Sequence, residues 1–418
     1  MFMALIPVDN LKAGMVLEKD LIAFNGRFLL PSGSTLTEKH IQTMKIWGVA
    51  EVTVTEDHDE DLPLEAPAEI SQEIMARAEV LLARLFVTKP EESPMKEMYE
   101  VALHRTASAL LRKELPEFAP PLPAQKAPGL AHEKEGIPTP ADLVSREVRL
   151  ASLPDVYYRI MEVINSVRSS ASQIAETVSS DTSLLTRLLK LVNSAFYGFP
   201  SKIETVSRAV AIIGTKELST LALGIAAVQY FTDISPEYID MKNFWRHSIA
   251  CGVYARLLAS EKIGVSEERL FVAGLLHDIG KLILFRQIPR QARQTLEYAS
   301  VKRIPLAAAE REVLGFDHAQ LGAALLREWK IPSSLETIVR FHHSPHASQS
   351  VLEATLLSAA NSLAIAALQG RSGTPVVPEI SSSLWKETGV PAAVFSAVVL
   401  QGDRQITDIS SSFLGAGR

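Results

Sequence analysis

The sequence predicts a mainly α-helical protein with a small β-rich module at its N-terminus. Three observations carry that expectation. Apolar residues recur at three- and four-residue steps through most of the chain beyond Ala141. Val and Thr alternate at period two in VAEVTVT, near the N-terminus. Seven prolines (Pro116, Pro120, Pro121, Pro123, Pro128, Pro138 and Pro140) stand between the two regimes and break regular structure there.

Taken in order, residues 1–56 form the β-rich module. Short strand-like runs, MVLEKDLIAF and RFLLPSG, flank a turn at Asn25-Gly26, and LTEKHIQTMKIWG reads as one helix with Leu36, Ile41, Met44 and Trp47 on its apolar side. Residues 57–115 are expected to be an acidic linker, with its charge run at Glu56 to Asp61, followed by a helical connector with patterns near 66–88 and 94–114. Residues 116–140 are expected to be an extended, protease-sensitive hinge, because proline removes backbone donors and biases the preceding residue away from helix. From 141 to 412 the stripes Ile160, Val163, Ile164, then Ile174, Val178, then Leu184, Leu185, Leu188, Leu189 and Val192 predict packed helices. Asp317 is placed to cap a helix beginning at His318, and Ser333 with Glu336 has the spacing of a capping box.

The chain has 418 residues, 47% hydrophobic and 22% charged, enough to bury a large core in more than one domain. Its net charge of −6 opposes a nonspecific grip on phosphate backbones, so no nucleic acid partner is expected. The stretch SASQIAETVSSDTSLLTRLLKLVNSAFYG could be a helix-turn-helix with Arg187 and Lys190 at phosphates, but its basic residues are sparse and its leucines suit a core. Cys251 is the single cysteine, which excludes an internal disulfide and a cysteine-based zinc motif. No leader and no run of 18 apolar residues is present, so the expected setting is cytoplasmic, away from membrane.

The chemistry concentrates in LLHDIGK, Leu275 to Lys281. Adjacent His277 and Asp278 offer an imidazole nitrogen and a carboxylate oxygen to one divalent metal, or a carboxylate that bridges two. His247, His318 and the pair His342 and His343 supply further imidazoles from helix-patterned sequence. The alternative is structural for each: His277 and Asp278 as a buried pair neutralised by Lys281, His247 as a satisfied core histidine, His318 bonded to backbone, and one of His342 or His343 stabilised as imidazolium at a helix end. His346 reads as a surface loop residue and Cys251 as a small hydrophobe.

The order His247, His277-Asp278, His318, His342-His343 resembles the HD metal-phosphohydrolases, including their HD-GYP branch of cyclic dinucleotide phosphodiesterases. The wording LPDVYYRIMEVINS, VSSDTSLLTRLLKLVNSAFYG, SRAVAIIGTKEL, FVAGLLHDIGKLILF and GFDHAQLGAALLREWKIP followed by HH is similar to HDOD, the HD-related output domain of bacterial signalling proteins. The likeness covers about 141–412. The N-terminal IPVDNLKAGMVLEKDL is similar to a small module fused ahead of HD-type signalling domains.

The resemblance implies an all-α HD-like bundle that acts on signalling proteins as partners. It implies metal ligands at His247, His277, Asp278, His318, His342 and His343, for iron, manganese, magnesium or zinc. Two departures are visible. The final aspartate of active relatives corresponds to Asn361 here, and the Gly-Tyr-Pro loop is absent, since SPHASQS follows His343. Two readings therefore stay open: an output or adaptor protein with a degenerate metal site, or a metal-dependent phosphohydrolase in which Asp278 holds the metal and Lys281 stabilises developing charge.

Overall fold

The computed structural model describes residues 3–22, 28–46, 49, 51–55, 70–113, 136–150, 155–166, 170–199, 201–228, 230–231, 234, 239–370 and 373–414. The Asn25-Gly26 turn, Trp47, the acidic run 56–61 and most of the proline-rich segment lie outside the described residues. Strands β1 (Met3–Pro7), β2 (Val16–Leu17), β3 (Leu21–Ile22), β4 (Phe28–Leu30) and β5 (Glu51–Thr55) surround helix α1 (Glu38–Ile46) in the N-terminal module. One antiparallel sheet has the order β1-β5-β2, with Met3 opposite Thr55, and β3 pairs with β4. The alternation of β5 turns Val52 and Val54 inward, where they meet Ile6, Leu17, Leu36, Ile41 and Met44 in a core of their own.

The next two helices belong to the second, larger core. Helix α2 (Gln72–Leu82) begins at Ser71, whose hydroxyl accepts from Ile74 N at 3.3 Å, and α3 (Met95–Leu111) follows after an irregular segment. Leu82, Phe86, Met98, Tyr99 and Ala102 are buried together with residues of the large helical domain. Val377 N donates to Leu85 O at 2.9 Å and the Ser382 hydroxyl to Ser93 O at 2.6 Å. The expected connector is thus a packed hairpin. Its second helix is apolar along Met95, Met98, Ala102 and Leu103, a stripe that must be covered.

The helical domain starts with α4 (Pro140–Leu150), α5 (Asp155–Asn165), α6 (Ala171–Ser179), α7 (Thr182–Val192), α8 (Val206–Ile213) and α9 (Thr215–Val228). Ser170 and Gln173 form a capping box on α6, while Asp181 and Thr205 cap α7 and α8. Leu184, Leu188 and Leu191 are fully buried, so α7 spends its apolar face on the core. Asn193, at the end of α7, binds both the N–H and the carbonyl of Ile203 at 2.7 Å and so shapes the loop that places Phe196 against Phe271.

The second half comprises α10 (Met241–Ala259), α11 (Glu267–Leu276), α12 (Ile279–Gln287), α13 (Pro289–Lys302), α14 (Leu306–Val313), α15 (His318–Glu328), α16 (Ser333–Phe341), α17 (Val351–Ala366), α18 (Ser382–Thr388) and α19 (Val394–Leu414). Helix α10 is central, packed by α11, α17 and α19. Two glycine contacts set the helix spacing around it: a Cβ at Gly274 would come within 2.5 Å of the backbone of Gly252, and one at Gly280 within 2.0 Å of His318 O. Main chains that touch bring their flanking side chains together. Asp317 caps α15 as expected, accepting from Gln320 N. The Ser333–Glu336 capping box does not form: Ser333 is already helical, Pro332 holds the cap position, and Arg327 draws away the Glu336 carboxylate at 2.6 Å. No helix among the described residues is long and apolar enough to cross a membrane.

Candidate metal centre

Helix ends build this site. His277 is the residue after α11 and His342 the residue after α16, where the last carbonyls of a helix lack intrahelical partners. Each imidazole uses one: His277 Nδ1 donates to Gly274 O at 2.7 Å, and His342 Nδ1 to Val339 O at 2.6 Å. A carbonyl can only accept, so the Nδ1 proton is fixed and Nε2 is turned inward. Both Nε2 atoms are buried without a hydrogen-bond partner. His318, at the start of α15, is held differently, with its backbone N–H at 2.8 Å and its Nδ1 at 2.5 Å from Glu310 Oε2.

The six expected ligands converge. They fall into two triads, His247–His277–Asp278 and His318–His342–His343, and within each the potential ligand atoms lie within 4.8 Å of one another. Asp278 straddles both: Oδ2 is 3.3 Å from His277 Nε2 and 3.7 Å from His247 Nε2, and Oδ1 is 3.1 Å from His318 Nε2. His318 Nε2 also lies 2.9 Å from His343 Nε2. Asn361, on α17, places Oδ1 3.1 Å from His247 Nε2, and Lys281 Nζ donates to Asp278 Oδ2 at 2.8 Å. A narrow crevice bordered by Lys281, Leu306, His318, His343, Asn361 and Pro378 leads to the cluster.

Burial governs the charges. It raises the Asp278 carboxyl, yet His277 and Lys281 outweigh it and hold the group well below the usual carboxylate range. Burial depresses His247 to about 3 against the pull of Asp278, and holds His342 and His343 well below their ordinary value. The helix-end imidazolium expected at one of that pair is therefore not favoured, because desolvation and neighbouring imidazoles outweigh the helix dipole. Burial pulls both remaining imidazoles down, but Asp278 raises His277 to about 10, and Glu310 together with Asp278 raises His318 above its ordinary value.

This donor set fits one divalent ion. Inward, partnerless imidazole nitrogens backed by carbonyls and a carboxylate are the arrangement that orients histidine ligands. An imidazole-rich set suits iron or zinc better than manganese or magnesium, which favour oxygen ligands. A second ion would find little further negative charge to balance it. Asp278 and Glu310 are the buried carboxylates in contact with these imidazoles, and Lys281 already offsets the first. Glu310 was not singled out in the sequence. It lies eight residues before His318, across the turn between α14 and α15, so no single helix carries both and no periodicity marks the pair. His346 shares a short 3-10 turn with the buried Pro345 and enters neither triad.

Residues 150–345 match the family model of the HDOD domain. A curated relative, an uncharacterized protein of Treponema pallidum, is 28% identical over 214 residues, half of this chain, and the chain spans about 40% of that relative's length. The crystal structure of a candidate phosphohydrolase from Shewanella amazonensis is similar with a TM-score of 0.53 at 25% identity, over 66% of this chain and 100% of the other. An HDOD domain protein of unknown function from Geobacter sulfurreducens gives 0.51 at 19% identity, over 66% and 97%, and shows the same fold. A candidate signal transduction protein of Marinobacter aquaeolei gives 0.52 at 19%, over 68% of each chain.

Proposed function

We propose that this chain, whose residues 150–345 match the HDOD domain model, is a cytoplasmic signal-transduction output protein that acts on protein partners instead of hydrolysing phosphodiesters. The observation that carries this reading is the Lys281–Asp278 pair. Asp278 is the sole carboxylate among the six converging residues, and Lys281 Nζ stands 2.8 Å from the oxygen that faces His247 and His277. A second metal would have to share that carboxylate with an ammonium group. Asn361, where active relatives have aspartate, supplies a neutral oxygen already turned to His247. The cluster then serves as a buried pin between α10, α11, α15, α16 and α17, with one ion at most.

The rival reading is a metal-dependent phosphohydrolase. It is favoured by the likeness to the Shewanella protein and by the crevice that puts Lys281 beside His318 and His343. Elemental analysis of the full chain, combined with turnover of bis-p-nitrophenyl phosphate and cyclic dinucleotides in added manganese or iron, separates the two. The expected result is at most one ion per chain and no turnover above background. Robust turnover abolished by Asp278→Ala would establish the hydrolase reading. Asn361→Asp should raise occupancy if one carboxylate is all the site lacks.

A further inference from the structure

Away from the histidines, a chain of polar contacts runs from the α2–α3 hairpin to the backbone of His247. Arg105 Nη1, on α3, donates to Asp403 Oδ2 of α19 at 2.5 Å. Gln369, just past α17, donates from Nε2 to Asp403 Oδ1 at 2.6 Å, and its Oε1 accepts from Arg246 Nη2 at 2.9 Å. Arg246 immediately precedes His247 on α10. The residue after Gln369, Gly370, has φ +71°, and a Cβ there would meet Asn243 O at 2.4 Å and His247 N at 2.5 Å, so this loop lies directly against the backbone that carries the histidine.

We propose that this chain is a latch through which the position of the α2–α3 hairpin sets the position of His247. Gln369 is its joint: 1% exposed, it ties α19 to α10 with both ends of one amide, and a planar amide cannot follow Asp403 without releasing Arg246 or dragging the loop that presses on His247. The outer member is built to open. Side chains of Arg105 and Asp403 are 29% and 38% exposed in the floor of a groove between α3 and α19, also lined by Glu100, His104, Arg112 and Leu400. An ion pair still about one-third open to solvent can exchange its partner for water. In sequence the hairpin lies between the N-terminal module and α4. The two states are Asp403 paired with Arg105, Gln369 locked, and Asp403 released, Gln369 and the Gly370 loop free to shift. The inference concerns placement of His247 and holds with or without an ion.

Amide hydrogen exchange on the full chain tests it, comparing Arg105→Met and the near-isosteric Asp403→Asn with wild type. Both variants should raise exchange several-fold in peptides covering 95–111 and 243–251, and leave those covering 171–213 unchanged. The proposal is overturned if the hairpin loosens while 243–251 does not, if all three regions rise together, or if no region changes.

Discussion

A methyl group added at Gly280 would stand 2.0 Å from His318 O and 2.8 Å from Gly322 N, both main-chain atoms that cannot rotate away. Ordinary contacts begin near 3.4 Å, so α15 must retreat from α12 by roughly 1.4 Å. That carries His318 Nε2, now 3.1 Å from Asp278 Oδ1, out of reach of the carboxylate. Helix propensity alone would favour alanine by about 1 kcal/mol. Overpacking against backbone costs about 3 kcal/mol or more, so the clash wins and Gly280→Ala should destabilise by about 2 kcal/mol. For a domain of this size that lowers Tm by roughly 4–8 °C. Gly322→Ala is the comparison, since its added methyl would meet the Ile279 γ-methyl at 3.2 Å and Gly280 N at 3.3 Å, a shortfall of a few tenths of an ångström, and it should lower Tm by no more than about 2 °C. Scanning calorimetry of the three proteins decides the matter. If Gly280→Ala melts with the control, the α12–α15 contact does not fix the cluster and the account of its assembly is wrong.

Three further outcomes are expected. Glu310→Gln should weaken binding of added zinc about 10- to 100-fold by competitive chelation, because it removes the charge behind His318; unchanged affinity would make Glu310 a packing residue. In metal-free protein Tm should fall as pH drops from 7 toward 4: His247, with its folded value near 3, and the likewise depressed His342 and His343 contribute stability present above an unfolded value near 6.5 and lost on acidification. His277, raised to about 10, has the opposite sign, its contribution being complete below 6.5 and lost as pH rises toward 10, so it cannot offset the acid loss. A flat Tm between pH 7 and 5 would show that the imidazoles are not held neutral. Finally, a fragment starting at Ala141 should melt below one starting at Ile70, since it exposes the surface that Met98, Tyr99 and Ala102 cover; equal melting would restore the connector to a mere tether.

How much of this was legible in sequence varied with the range of the interaction. His277, Asp278 and Lys281 announce themselves because a short motif fixes their geometry, and the convergence of His247, His318, His342 and His343 followed from resemblance, then from packing. Helix α15 and its Asp317 cap were readable because capping is local. The carbonyls of Gly274 and Val339 that orient two imidazoles were readable in principle, as each lies three residues back at a helix end. Glu310 and the Arg105–Asp403 pair were not, the latter spanning 298 positions. The stripe on α3 told that a face needed cover without telling what would cover it.

The burial of the cluster has a bearing on time as well as on energy. His247, His277, Asp278, His318 and His342 are each no more than 1% exposed, and a crevice beside His343 borders the cluster. An ion enclosed there would come and go at the pace at which α14 and α15 part from the 374–378 segment, not at a pace set by its affinity. A ligand set buried to this degree would exchange an ion slowly, so dialysis would strip it only as fast as the helices around it open.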